Sequence, residues 1–220
     1  MALRRRLLLV ALLSAICISA LAQNSAAPQR PTSTPYTGDL SIFETAGRDQ
    51  RLHINQVMDA LAIAPGKNVA DIGAGSGWFT VRAAKRVTDA GTVYAVDINP
   101  EAIKYINNRL QKEGIHNVRT IPSKPDDPGL PVNRIDSVLL LKTYHEVANP
   151  VALLRNLRGS LRPGARVGII DRNGNGDDHG VQKKIVIQEA VEAGYKLLEE
   201  HDDLVKAEDR VDYFLVFVAK

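Results

Sequence analysis

From residue 54 onward the apolar positions alternate between two rhythms. Ile54, Val57, Met58 and Leu61 recur at i, i+3, i+4 and i+7, one face of an amphipathic helix, and "APGK" stops it. "NVADIG" then runs apolar as a strand, and "GWFTVRAAKRV" returns to helical spacing. "GTVYAVDI" predicts a strand opening at Gly91. "NPEAIKYINNRLQKEG" predicts a helix with Asn99 as N-cap, Pro100 in the first position and Gly114 beyond the end. That order places a side-chain acceptor, a fixed φ and a left-handed turn where a helix needs them. "NVRTIP" reads as a short strand and "DSVLLL" as a buried one. "NPVALLRNLRGSLRPG" repeats the Asn-Pro start and the glycine stop, before the strand "ARVGII" and the helix "VQKKIVIQEAVEAG". The last two strands, "YKLLEEHD" and "DYFLVFVA", have only "LVKAEDR" between them, which predicts an antiparallel hairpin at one sheet edge. Strands alternating with helices make an α/β fold with a doubly wound, mostly parallel sheet, because parallel neighbours need a crossover.

The N-terminus follows neither rhythm. Arg4, Arg5 and Arg6 precede an apolar run from Leu7 to Leu21, and Ala20-Leu21-Ala22 offers a small-x-small cleavage site before Gln23. These are the three parts of an export signal. The run is short for a membrane span of roughly 20 residues, so cleavage and export, to the periplasm or the medium, is the expectation. Anchoring by an uncleaved leader is the alternative. Residues 23–38, "QNSAAPQRPTSTPYTG", are too polar and Pro-rich to build a core and read as flexible linker. Ile42 and Phe43 follow as a docking point. The expected organisation is a signal peptide (1–22), a flexible linker (23–47) and one domain (48–220).

The leader changes the meaning of the composition. The whole chain of 220 residues carries a formal +3 charge, but without the three leader arginines 25 basic residues face 25 acidic ones. No basic excess remains to track a phosphate backbone, so a nucleic-acid partner is not expected. Cys17 is the only cysteine and lies in the leader. A cleaved chain has no disulfide, thiolate nucleophile or cysteine-held zinc.

The candidate chemistry begins at "VADIGAGSGWFT". Gly73 and Gly75 fit the dinucleotide fingerprint, but its third small position is Trp78, and an indole cannot sit where helix and strand must touch. No Gly-Lys-Ser/Thr follows to make a P-loop. The pattern present is Asp71, Gly73, Gly75, Gly77, with a carboxylate ahead of the glycines where a pyrophosphate would be repelled. Asp97 ends the next strand, near the spacing of about 20 residues at which an acid accepts from ribose hydroxyls. A ribose, a cationic amine and no phosphate together describe S-adenosylmethionine (SAM).

With "VYAVDINPEAI", this stretch resembles the glycine motif and acidic second strand of the class I SAM-dependent methyltransferases, from about Arg48 to Lys220. The resemblance implies a Rossmann-like, seven-stranded sheet with an antiparallel last strand. "PDDPGLP" and "YHE" look like the small-molecule, quinone-biosynthesis type. It further implies that Gly73, Gly75 and Gly77 admit the methionine part, and that Asp71 faces its amine. Asp97 would hold the ribose and Ile98 pack on the adenine. Asp126, or Asp127 in the other register, would accept from the adenine amino group.

"KTYHEV" leaves the fourth strand on the rim where such sheets bind ligands. Histidine is the side chain suited to act as a base near neutral pH, and His145 is the candidate base for a small-molecule methyl acceptor. Tyr144 is a candidate to orient that acceptor. Capping, or pairing with Glu146, is the other reading of His145. "DRNGNGDDHG" after the fifth strand reads as a substrate lid carrying His179. Asp171, Asn173, Asn175 and Gly176 begin like a calcium loop, but the twelfth position is Gln182 rather than an acid. Metal-dependent O-methyltransferases of this class carry an acid just after the fourth strand, where this chain has Lys142, so no catalytic metal is expected. The competing readings are a non-catalytic SAM-fold module, favoured by export away from cytoplasmic SAM, and an NAD-dependent oxidoreductase, disfavoured by Trp78.

Overall fold

The computed structural model describes residues 30–204 and 211–220; the leader and its cleavage site lie outside them. The chain forms β1 (Asn68–Ile72), β2 (Thr92–Asp97), β3 (Val118–Pro122), β4 (Ile135–Leu141), β5 (Leu161–Asp171), β6 (Tyr195–Glu200) and β7 (Tyr213–Ala219). Its helices are α1 (Arg48–Arg51), α2 (Ile54–Ala60), α3 (Trp78–Val87), α4 (Pro100–Glu113), α5 (Pro150–Arg158) and α6 (Lys183–Glu192). The strands make one sheet in the order β3-β2-β1-β4-β5-β7-β6. The first five are parallel, and β7 is antiparallel to both β5 and β6, which gives the expected hairpin at the edge.

The inner strands are apolar at consecutive positions because both faces are covered. In β4, Val138 and Leu140 point into a core shared with α5 and α6, while Leu139 packs with α2 and α3 on the opposite face. α4 buries Ile106 and Leu110 against Ala95 and Val81. Its Asn99 side chain accepts from Glu101 N–H, and Gly114 closes it in the left-handed region, as the sequence predicts.

The glycine stop expected near residue 164 falls earlier. α5 ends at Arg158 and β5 begins at Leu161. The carbonyl of Ser160 accepts from the N–H groups of Arg134 and Ile135, so pairing with the start of β4 captures residues that helical spacing alone would have kept. Among the described residues no helix is long and apolar enough to cross a membrane.

Leu139 is fully buried at the centre of the sheet. Leu139→Ala is expected to cost about 2–5 kcal/mol, through lost transfer energy and the cavity it leaves. Urea denaturation of the two proteins measures it as a lower midpoint at unchanged slope.

Candidate active site

The chain moves from β1 outward to β2 and β3, then crosses back to β4 on the other side of β1. Connections leaving the carboxyl ends of β1 and β4 therefore diverge, and the crevice between them is where such sheets take ligands. Gly73, Gly75 and Gly77 line its β1 side with φ of 74°, 55° and 74°, a region that costs any side-chain-bearing residue strain. The N–H groups of Gly73 and Ala74 donate to Val96 O at 2.8 and 3.1 Å, tying the loop to β2. A Cβ at Gly73 would lie 2.2 Å from Thr143 Cγ2, so the loop after β4 presses directly on the glycine loop.

Asp97 closes this half. Its carboxyl accepts from Gly75 N–H and Asn99 N–H, both at 2.8 Å. Burial raises its pKa, and those amide bonds oppose the rise. Ile98 beside it is 46% exposed, an open apolar surface at the rim. Asp71 is buried and accepts from Thr80 Oγ1 at 2.6 Å. Burial, with a smaller push from Asp97, raises its pKa to about 7, against the Thr80 bonds and Arg48. Trp78 is buried between the guanidinium groups of Arg48 and Arg82, 4.3 and 4.1 Å from its ring. It fills the place where a dinucleotide site needs a small residue. After β3, Asp127 accepts from Gly129 N–H within its own turn, whereas Asp126 is half-buried with its carbonyl bound by Asn156.

The β4 side holds Tyr144, His145 and Glu146 in one 3-10 turn. His145 is buried, and its Nδ1 lies 2.8 and 3.0 Å from the two carboxylate oxygens of Asp171, the last residue of β5. His145 N–H and Arg172 N–H also donate to that carboxylate. An acceptor-only group so placed fixes the proton on Nδ1, an assignment from the network, and leaves the Nε2 lone pair available. Nε2 is 3.9 Å from Glu146, whose carboxyl burial pushes up to about 7. Tyr144 is different: its ring is fully buried and its hydroxyl donates to Glu189 at 2.9 Å. That bond engages the phenol within the fold rather than with an acceptor.

The segment from Arg30, which composition assigns to a flexible linker, is strapped across this half. Arg30 pairs with Glu189 at 2.9 Å and donates to Tyr144 O. Ser33 is buried; its N–H donates to His145 O, its hydroxyl donates to Gly176 O, and it accepts from His179 N–H at 2.8 Å. The docking residues are Leu40, which is buried, and Phe43, which stacks edge-on with Tyr36; Ile42 is half exposed. Glu44 then reaches Ser76 and Arg109.

The loop after β5 does not form a calcium cage. Asp171 serves His145, Asn173 Oδ1 accepts from Lys183 N–H, and Asn175 Oδ1 accepts from Asp177 N–H. His179 is instead brought edge-on to His145, ring centroids 5.7 Å apart. Sequence reasoning missed the partnership of Asp171 with His145. A signal was present: apolar strands β1, β2 and β5 all carry an aspartate at or next to their carboxyl end.

The chain matches a methyltransferase-domain family over residues 63–212 and belongs to it. Its domain is that of the class I SAM-dependent methyltransferases, with SAM as cofactor. The ubiquinone/menaquinone biosynthesis C-methyltransferase UbiE of Shewanella frigidimarina is 27% identical over 52% of this chain and 46% of its own. The protein-L-isoaspartate O-methyltransferase of Aeropyrum pernix is 36% identical over 36% of this chain and 30% of its own. The chain thus spans at most about half the length of these relatives. A SAM-dependent methyltransferase from Aquifex aeolicus superposes with TM-score 0.70 over 82% of this chain and 98% of its own, at 22% identity, a likeness of fold.

A pKa raised to about 7 makes Asp71 a pH-dependent burden on the fold. Below about pH 4 it is neutral folded or unfolded. As the pH rises towards 7 the unfolded chain gains from ionising it and the folded chain does not, so stability falls and levels off above the folded value. Denaturation without cofactor from pH 4 to pH 8 should show wild type losing a few kcal/mol more than Asp71→Asn, because each pH unit by which the folded value exceeds the unfolded one is worth about 1.4 kcal/mol.

Proposed function

We propose that the protein is an exported SAM-dependent methyltransferase acting on a heteroatom of a small molecule. The observation that carries this is the Nε2 of His145, left as an acceptor by Asp171, on a loop that presses on the glycine turn through Thr143. The chain's residues suit SAM. The left-handed glycine turn would give the methionine part access to backbone, Asp71 offers a buried carboxyl for its ammonium group, and Asp97 and Ile98 are the residues assigned to ribose and adenine. Asp126 suits the adenine amino group better than Asp127, which its turn occupies. When bound, SAM supplies a methyl group on a cationic sulfur.

The chain's own part is to align the acceptor and take its proton. With SAM bound, the acceptor's O–H, N–H or S–H proton would pass to His145 Nε2 as its heteroatom takes the methyl group and the methyl–sulfur bond breaks, leaving neutral sulfur. Asp171 holds the imidazole in the receiving tautomer and stabilises the imidazolium. Tyr144 contributes by fixing this turn through Glu189. The relatives' names cover both carbon and oxygen acceptors; the histidine base favours a heteroatom bearing a proton. A small acceptor agrees with a mature chain of balanced charge. The leader pattern supports export, and it also keeps the non-catalytic SAM-binding module as the rival reading.

Binding and turnover should separate. Asp97→Ala removes the acceptor for ribose hydroxyls, at about 1.5–3 kcal/mol per charged hydrogen bond, so SAM affinity by titration calorimetry falls at least about tenfold. His145→Ala leaves that affinity nearly unchanged and lowers turnover on screened phenols, thiols, quinols and amines by about 10²–10⁴. Full turnover without His145 would sink its role as base, and tight SAM binding with no turnover on any acceptor would favour the rival. N-terminal sequencing of the exported fraction should begin at Gln23; a cytoplasmic protein beginning at Met1 or Ala2 would overturn export.

A further inference from the structure

His145, Glu146 and His179 converge at the acceptor end of the site. One potential ligand atom from each lies within 4.8 Å of the other two. Two atoms about 2.1 Å from an ion at the tetrahedral angle sit roughly 3.4 Å apart, so side-chain rotations of an ångström or so close the set. Two imidazoles and one carboxylate suit a divalent first-row transition ion and leave a coordination position open. The expectation of no metal came from Lys142, at the place of a magnesium-holding acid; a nitrogen-rich set is a different chemistry from oxygen-bound magnesium.

The surroundings prepare each donor separately. Asp171 receives the Nδ1 proton of His145 and so aims the Nε2 lone pair, the arrangement that orients metal-bound histidines elsewhere. His179 stands at φ 59°, a left-handed conformation that a β-carbon disfavours. Ser33 holds it there through the His179 N–H, while the Ser33 N–H binds the His145 carbonyl. The Tyr36 backbone lies close enough to the Glu146 carboxyl to oppose, as one of the smaller effects, the rise that burial causes. Residues 33 and 36 of the strap thus touch all three donors.

We propose that His145 Nε2, Glu146 and His179 bind one divalent transition ion of the zinc class, with its open position facing the methyl acceptor. The ion rests on the methyltransferase reading and replaces His145 as the free base assigned above, because it occupies the same lone pair. An acceptor O–H or S–H coordinated there loses its proton to water and keeps the electron pair on the ion-bound heteroatom. Deprotonation then passes from the histidine to the metal.

The test uses the full chain, stripped with chelator, dialysed against zinc and then against buffer, with metal counted by mass spectrometry. Wild type should retain one zinc per chain, and cobalt in its place should give the intense visible bands of a four- or five-coordinate site. His179→Ala and Glu146→Gln should each weaken zinc binding more than tenfold, and Asp171→Asn by about 10–100-fold. His116→Ala, at an exposed histidine, should change nothing. SAM titration on the same samples confirms folding and separates the two readings. A wild type that binds SAM but returns zinc-free overturns the metal site and leaves the methyltransferase standing; so does His179→Ala retaining zinc like wild type. Zinc bound one-to-one, lost in both ligand variants and accompanied by no SAM binding, supports the site and removes the methyltransferase.

Discussion

Two neighbouring strands, β1 and β4, send their connections away in opposite directions. The whole site follows from that. The turn after β1 must reverse within a few residues to start α3, so it uses three left-handed glycines. The turn after β4 can approach it closely because Gly73 has no Cβ to meet Thr143. The aspartates of β1, β2 and β5 are carried to the same rim by the parallel register, not by proximity in sequence.

Those aspartates divide the work by burial. Asp97, the least deeply buried of the three, satisfies two backbone amides. Asp71 and Asp171 are almost wholly enclosed, but the first accepts from the Thr80 hydroxyl while the second has an imidazole and two amides. One is a carboxyl whose pKa burial still raises against Thr80 and Arg48, a disposition suited to a charged guest. The other already has its partner and turns that partner's second nitrogen outward.

What could be read from the sequence was local. Helix caps at Asn99 and Gly114, the apolar strands and the glycine turn are each specified within a few residues, and the structure reproduces them. What could not be read depends on distant partners. Ser33 looks like linker because the groups that bury it are His145, Gly176 and His179. Tyr144 looks like an acceptor-facing phenol because nothing nearby in sequence announces Glu189. Asp171 looks like the head of a calcium loop because its neighbours do, although its bond crosses to the adjacent strand's turn. The start of β5 was hidden for the same reason, since pairing with β4 outweighs helical spacing there.

The strap has a mechanical consequence of its own. Arg30 is already fixed to Glu189 and to the carbonyl of Tyr144, beside the turn that carries His145. Eight chain steps, across seven intervening residues, separate it from Ala22, and at about 3.5 Å each they reach at most roughly 28 Å, close to the thickness of a bilayer's hydrocarbon layer. A leader left in the membrane would moor the acceptor mouth beside lipid, within reach of compounds dissolved there. A leader removed after Ala22 would release the same mouth to the aqueous phase. On so short a tether, a single proteolytic cut would select the solvent from which acceptors are drawn.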